Sequence, residues 1–160
     1  MRHEANGAKP ATDPDIAARQ AVMATCTGAT AAELEHALRG VGEIPAAGDL
    51  RGTENGLVML RGRMGGDGRA FNLGEATVTR ATVRLPSGRV GHSYALGRDK
   101  GKAKLAAIAD ALWQDPAQRE AIETKLAAPL RAALDAARET RRVETAATKV
   151  DFFTMVRGED

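Results

Sequence analysis

The chain predicts an α+β fold in which an antiparallel β-sheet meander is packed by N- and C-terminal helices and followed by a short aromatic C-terminal strand. Three observations carry that prediction. Apolar residues spaced by three and four flank a middle region whose period drops to two. Within that region, Gly65-Gly66-Asp67-Gly68 and Pro86-Ser87-Gly88 are turn clusters so short that the strands they join must run antiparallel. Helix-start chemistry at Asp13-Pro14, Thr30 with Glu33, Asp99, and Asp115-Pro116 falls outside the period-two region.

Residues 1–12 are polar and aperiodic and are expected to form a disordered leader before one domain spanning 13–160. Asp13 reads as a helix cap with Pro14 in the first turn, so a helix is expected over about Pro14 to Cys26, with Ile16, Val22, Met23 and Cys26 inward. Thr30 and Glu33 have the spacing of a capping box, and the helix they start should end near Arg39-Gly40. The period then changes. Leu57-Val58-Met59-Leu60 is a short strand, and the glycine cluster at 65–68 returns the chain into a second strand, Ala76 to Leu85. There Thr77, Thr79, Ala81, Val83 and Leu85 make a drier face, opposed by Ala76, Val78, Arg80, Thr82 and Arg84. Arg89 to Leu96 is the next strand, giving a meander of three or four.

Asp99 can cap a helix running to Trp113, with Leu105, Ile108, Leu112 and Trp113 packed on the sheet. Asp115-Pro116 opens a longer helix through Ile122, Leu126, Leu130 and Leu134, which Pro129 should break or kink because it lacks an amide hydrogen. Residues 138–149 lose apolar periodicity and read as a fraying helix or a linker to the aromatic end, where Phe152 and Phe153 would face opposite ways in an extended segment.

Composition narrows function. Only 3% of the residues are aromatic, so the core must be built from small and aliphatic side chains that let elements approach closely. A net charge of +2 is too small to argue for nucleic acid, although residues 48–97 hold seven Lys or Arg against four Asp or Glu. Cys26 is the single cysteine, which excludes an intrachain disulfide and a cysteine-ligated cluster or zinc site within one copy. There is neither a membrane-length apolar run nor an apolar signal core, so a cytoplasmic protein without membrane contact is expected. His3 and His36 have no companions at metal-ligand spacing, and no metal site is expected.

The polar groups worth weighing lie in the sheet. Arg61, Arg63, Arg80, Arg84 and Arg98 can bind a phosphate or phosphonate, because planar guanidinium groups match tetrahedral oxyanions, or they can line a solvated sheet face. Gly65 and Gly66 can offer amides to an anion, although a plain turn accounts for them. His92, on the strand parity of Val90, Tyr94 and Leu96, can shuttle a proton or bind phosphate, but a buried structural histidine is the preferred reading. Glu75 can orient an arginine or simply balance Arg80 across the hairpin. Cys26, on an apolar helix face, reads as core, and no nucleophile stands out by spacing.

The run Arg63 to Arg80, together with Gly97-Arg98-Asp99-Lys100 and the terminal Val150 to Asp160, resembles the PhnG family, a subunit of the bacterial carbon-phosphorus lyase core complex. The likeness extends from about Ala18 to the last residue. It implies an accessory subunit in phosphonate use, working beside PhnH-, PhnI- and PhnJ-like subunits and touching the PhnI-like one most directly. The implied reaction displaces adenine from MgATP with a phosphonate. It implies no cofactor in this chain; an iron-sulfur cluster and SAM would reside in the PhnJ-like subunit.

The family's glycine turn maps onto Gly65 and Gly66, its acidic strand start onto Glu75, and its Thr-Arg pair onto Thr79 and Arg80. Its Gly-Arg-Asp element maps onto Gly97, Arg98 and Asp99, and its tail onto Asp151, Phe152, Phe153 and Arg157. The resemblance implies assembly or phosphate contacts there, with the tail a candidate partner interface. One departure is Lys102-Ala103-Lys104, where many members have His-Ala-Glu; two lysines near a helix start oppose its dipole and call for an anion or an acidic partner surface. The competing readings are an enzyme acting alone on ribosyl triphosphates through Arg80, Arg98 and His92, and a stand-alone anion-binding module.

Overall fold

The computed structural model describes residues 13–64 and 68–148. Two helices, α1 (Pro14–Gly28) and α2 (Ala31–Val41), precede three strands, β1 (Gly48–Arg63), β2 (Ala70–Arg84) and β3 (Val90–Leu96). Then follow α3 (Lys100–Trp113), a short α4 (Pro116–Ala121), a π-helical turn (Ile122–Ala127) and α5 (Ala128–Ala147). The expected α+β class and meander are borne out: the sheet has the order β1-β2-β3, antiparallel throughout.

The caps do what their chemistry requires. Asp13 accepts from the Asp15 amide at 2.9 Å, Asp99 from the Lys102 amide at 2.8 Å, and Asp115 from the Ala117 amide at 3.1 Å. Thr30 and Glu33 close a capping box, the Glu33 carboxylate accepting from the Thr30 amide at 2.8 Å while Thr30 Oγ1 accepts from the Glu33 amide at 3.3 Å. The Thr30 amide and the Thr30 hydroxyl, the latter at 2.7 Å, both donate to the ionised Glu33 carboxylate and hold it below its ordinary pKa.

α3 is the central element, buried on both sides. Ala103, Ala107, Ile108 and Ala111 meet Ala81, Val83 and Leu85 of the sheet layer. Ala106, Ala109 and Trp113 meet Val22, Cys26, Leu34, Leu38, Ile122 and Leu126 in a helical cluster. The sheet contact uses small residues at both surfaces. Gly91 lies so close to α3 that an added Cβ would overlap the Ala107 carbonyl oxygen and stand 2.7 Å from the Ala111 nitrogen. Ser93 donates its hydroxyl to the Ala103 carbonyl at 2.6 Å.

Several expectations need correcting. β1 is a strand of 16 residues, not a short one, and β2 begins at Ala70 instead of Ala76. Ile16 is exposed, facing solvent at the start of α1. Trp113 turns to the helical cluster, where its indole N–H donates to Glu123 Oε1 at 2.8 Å, and Leu105 also packs there. α3 rests on the sheet through Ala103, Ala107 and Ala111, whose small side chains permit the close approach, with the expected Ile108 and Leu112 beside them.

Pro129 does not break the helix: the chain winds into a wider turn, with the Ala128 amide donating to Glu123 O, and stays helical to Ala147. Residues 138–147 are thus helix rather than linker, although exposed. The leader and the terminal aromatic strand lie outside the described residues.

Gly91→Ala is expected to destabilise the protein by about 2–3 kcal/mol or more, since backbone rather than a flexible side chain blocks the added carbon. Urea unfolding of the two proteins measures the difference.

Candidate functional site

The sheet has one face on α3 and one face open. Residues 79, 81 and 83 of β2 and 91, 93 and 95 of β3 point to α3, which leaves Arg80, Thr82, His92, Tyr94 and Leu96 on the open side with Glu54 of β1. His92 is therefore exposed, not a buried structural histidine, and its Nδ1 lies 3.3 Å from Thr82 Oγ1. Arg80 pairs with Tyr94 in register and is a diagonal neighbour of His92 in the ladder, but its guanidinium lies over Gly56 of β1, away from β3, so the two side-chain heads are not brought together.

Arg80 is not balanced by Glu75. Its guanidinium meets Glu54 at 2.6 Å, and Glu54 also receives Arg51 at 2.7 Å. The Arg80 Nε is buried without a partner among the described residues. Glu75 is exposed opposite Met59 in the ladder.

The remaining candidates are scattered. Arg61 and Arg63 pair with Asn72 and Ala70, eight and ten residues along β2 from Arg80, which is roughly 25–35 Å of strand. Arg63 donates to the Gly68 carbonyl at 3.2 Å. Arg84 is exposed at the far end of the ladder, opposite Gly48 and Val90. Arg98 is exposed in the loop between β3 and α3, and Asp99 beside it is committed to capping α3. Five arginines thus do not form one anion site. Gly65, Gly66, Asp151, Phe152, Phe153 and Arg157 lie outside the described residues.

The two lysines at the start of α3 have intramolecular partners. Lys102 Nζ donates to the Thr27 carbonyl at the end of α1 at 3.1 Å, and Lys104 meets Asp49 at 2.9 Å. Lys102 thus answers the negative end of α1, a role that compensates its position at the positive end of α3.

Sequence reasoning missed the polar centre that the fold does assemble. Asp110, with a side chain at 0% exposure, accepts from Arg19 Nε at 2.7 Å and Nη2 at 2.8 Å, and from the His92 amide at 2.9 Å. The bond to Asp110 holds the Arg19 guanidinium even more firmly protonated than usual. Gln114 beside it donates to the Val90 carbonyl at 2.8 Å, so two groups on the outer edge of β3 are closed by side chains.

A cleft of about 260 Å³ opens above this pair, with Arg19, Arg89 and Arg119 around Trp113. Each guanidinium there already faces a carboxylate: Arg19 meets Asp110, Arg89 meets Asp115 at 3.5 Å, and Arg119 meets Asp15 at 2.7 Å while lying 4.2 Å over the Trp113 ring. The cleft is a charge-balanced seam between α1 and α3. The signal in the sequence was Asp110 itself, the one charge in the run Ala106 to Trp113.

Among the described residues no cluster of three metal-ligating side chains occurs, and no helix is long and apolar enough to cross a membrane. Cys26 is buried in the helical cluster, and burial pushes its thiol up to about 12, away from nucleophilic use.

Residues 17–158 match the family model described as phosphonate metabolism protein PhnG. The chain is 51% identical over 155 residues to the alpha-D-ribose 1-methylphosphonate 5-triphosphate synthase subunit PhnG of Rhizobium meliloti (strain 1021), covering 97% of this chain and 99% of that one.

Asp110→Ala is expected to cost about 3–5 kcal/mol, because it strands the Arg19 charge and the His92 amide; Asp110→Asn, which keeps an acceptor, should cost less in the same denaturation experiment. Cys26 is expected to react with a thiol reagent at pH 8 only as fast as the protein opens, and at once in denaturant. Its folded pKa lies above the ordinary 9.0, so its contribution to stability is full below pH 9 and fades as pH rises towards 12.

Proposed function

The chain belongs to the PhnG family, and on that premise we propose that it is an accessory subunit of an alpha-D-ribose 1-methylphosphonate 5-triphosphate synthase in phosphonate catabolism. The observation that carries this reading is the 51% identity, sustained over nearly the whole length of both chains, to a protein named as a subunit of that synthase.

In the proposed reaction a phosphonate oxygen attacks the ribose C1 of MgATP, the bond from C1 to adenine breaks, and adenine leaves as the triphosphate chain stays in place. The reacting groups are assigned to the assembled complex, with PhnH-, PhnI- and PhnJ-like subunits as partners and the PhnI-like one in most direct contact. Cytoplasmic MgATP serves as substrate. The iron-sulfur cluster and SAM belong to the PhnJ-like subunit. The chemistry of this chain supports that division, since a single, deeply buried thiol with a raised pKa ligates no cluster and attacks no substrate.

The open sheet face supplies the residues proposed to matter at a boundary with substrate or partner. Arg80 and His92 are diagonal neighbours in the ladder there, and Arg98 follows directly after the same sheet in the chain. The Arg80 guanidinium, if released from Glu54, can hold a phosphate oxygen, and the exposed His92 imidazole can take or return a proton. Arg61, Arg63, Glu75 and Asp99 are proposed only as assembly contacts.

Co-expression with the PhnI-like subunit, followed by size-exclusion chromatography and an assay of adenine release from MgATP plus methylphosphonate, tests the reading. The expected result is co-elution, with release only when the other synthase subunits are present. Release of adenine by this chain alone would instead make it an enzyme in its own right.

A further inference from the structure

Among the described residues, eight of the eleven large hydrophobic side chains that stand exposed lie on the three strands and a ninth, Met64, directly follows β1; seven of these nine are on β1, on β2 or at Met64. This concentration has a geometric cause. The β2–β3 ladder ends where Val78 pairs with Leu96, and Val78 pairs on its other side with Gly56. Beyond that point β1 and β2 continue together through Arg63 and Ala70 as a two-stranded ribbon roughly 20 Å long.

Both faces of the ribbon are apolar. Leu57 and Met59 share the face that closer to the core carries Thr79, and they are 63% and 53% exposed because α3 does not reach them. Leu60 and Gly62 point the other way. A register shift after Leu60 brings Phe71 and Leu73 to that same side, where the Phe71 ring lies against Gly62. Phe71 is 43% exposed and Leu73 66%. Arg61 and Arg63 are exposed on the ribbon and Arg69 just before β2, with Glu75 the exposed carboxylate on the ribbon among the described residues.

A two-stranded ribbon is at best marginal in water, and open edges with exposed apolar side chains are a liability that folds ordinarily suppress. This fold suppresses it in part elsewhere: on the outer edge of β3 the His92 amide is closed by Asp110 and the Val90 carbonyl by Gln114. Among the described residues no side chain closes the edges of the ribbon in that way.

We propose that the ribbon is an insertion arm, received on both faces by an apolar groove with a carboxylate-bearing rim on a fellow subunit of the synthase. The proposal rests on the reading of this chain as a synthase subunit. A flat partner surface covers one face and leaves the other wet, so two apolar faces call for a groove. The arginines select an acidic rim. They also disfavour a second copy of this chain, whose ribbon would bring the same arginines against them.

The test uses the full chain, tagged and co-expressed with the other synthase subunits. Leu57→Asp combined with Phe71→Asp places one carboxylate on each face, and Val143→Asp puts the same change on exposed α5. The double variant is expected to lower recovery of the partner subunits at least tenfold, with Val143→Asp at the unsubstituted level. Circular dichroism and urea midpoints of the isolated variants should match those of the unsubstituted chain, since all three side chains are exposed. Arg61→Glu with Arg69→Glu should weaken recovery in a manner that depends on salt. A benzophenone photo-cross-linker placed at Leu60 should capture a fellow subunit.

Undiminished recovery by a folded double variant overturns the proposal. So does a cross-link from position 60 to a second copy, or to residues 149–160 of the same chain. If the unsubstituted chain recovers no fellow subunit, the reading of the chain as a synthase subunit fails first, and the two failures are told apart by that control.

Discussion

The Asp110 carboxylate lies where α1, α3 and β3 meet, and its removal from water constrains how those elements can be arranged. A buried carboxylate must have its charge and its lone pairs answered. Arg19 answers the charge from α1, and the His92 amide answers a lone pair from the outer edge of β3. The same helix that carries the carboxylate carries Trp113 into the helical cluster and Ala107 and Ala111 onto the sheet. One ion pair thereby fixes the rotation of α3, the docking of α1 and the termination of the sheet on one side.

The helix and sheet meet through an unusually small set of side chains. Gly91, Ser93 and Ala95 face α3, and Val90, His92, Tyr94 and Leu96 face away. The bulkier residues of β3 are thus on the open side. That inversion leaves a polar pair, Arg80 and His92, beside apolar surface on the same face, the kind of mixed surface from which subunit boundaries are made.

The local elements were legible because their chemistry is local. Asp13, Thr30 with Glu33, Asp99 and Asp115 each satisfy amides within three residues, and each helix begins where they indicate. The drier face of β2 was legible through Thr79, Ala81, Val83 and Leu85. What failed depends on partners far away in the chain. The parity of His92 was read correctly, but which parity faces the core was decided by the alanines of α3, against the usual preference for burying the larger side chain. The first half of β1 shows no alternation because the sheet edge there has no dry face to mark, and Gly48, Gly52 and Gly56 break the pattern further. The arginine group was assembled from residue type, whereas the ladder holds Arg61 and Arg63 far from Arg80. Asp110 stands out as the one charge in an apolar run, but nothing local names its partner Arg19, 91 residues away.

The wide turn at Ile122–Ala127 has a consequence for angular phase. In an α-helix a step of four residues overshoots a full turn by roughly 40°, so apolar residues at 122, 126, 130 and 134 would drift steadily around the axis and off the core. A π-helical turn takes up more residues per revolution and cancels part of that drift. Ile122 and Leu126 are fully buried and Leu130 nearly so, a single stripe that survives until Leu134. The missing amide hydrogen of Pro129 falls on the exposed side of the same segment. The chain thus uses a change of helical pitch to keep a four-residue repeat pointed at one neighbour.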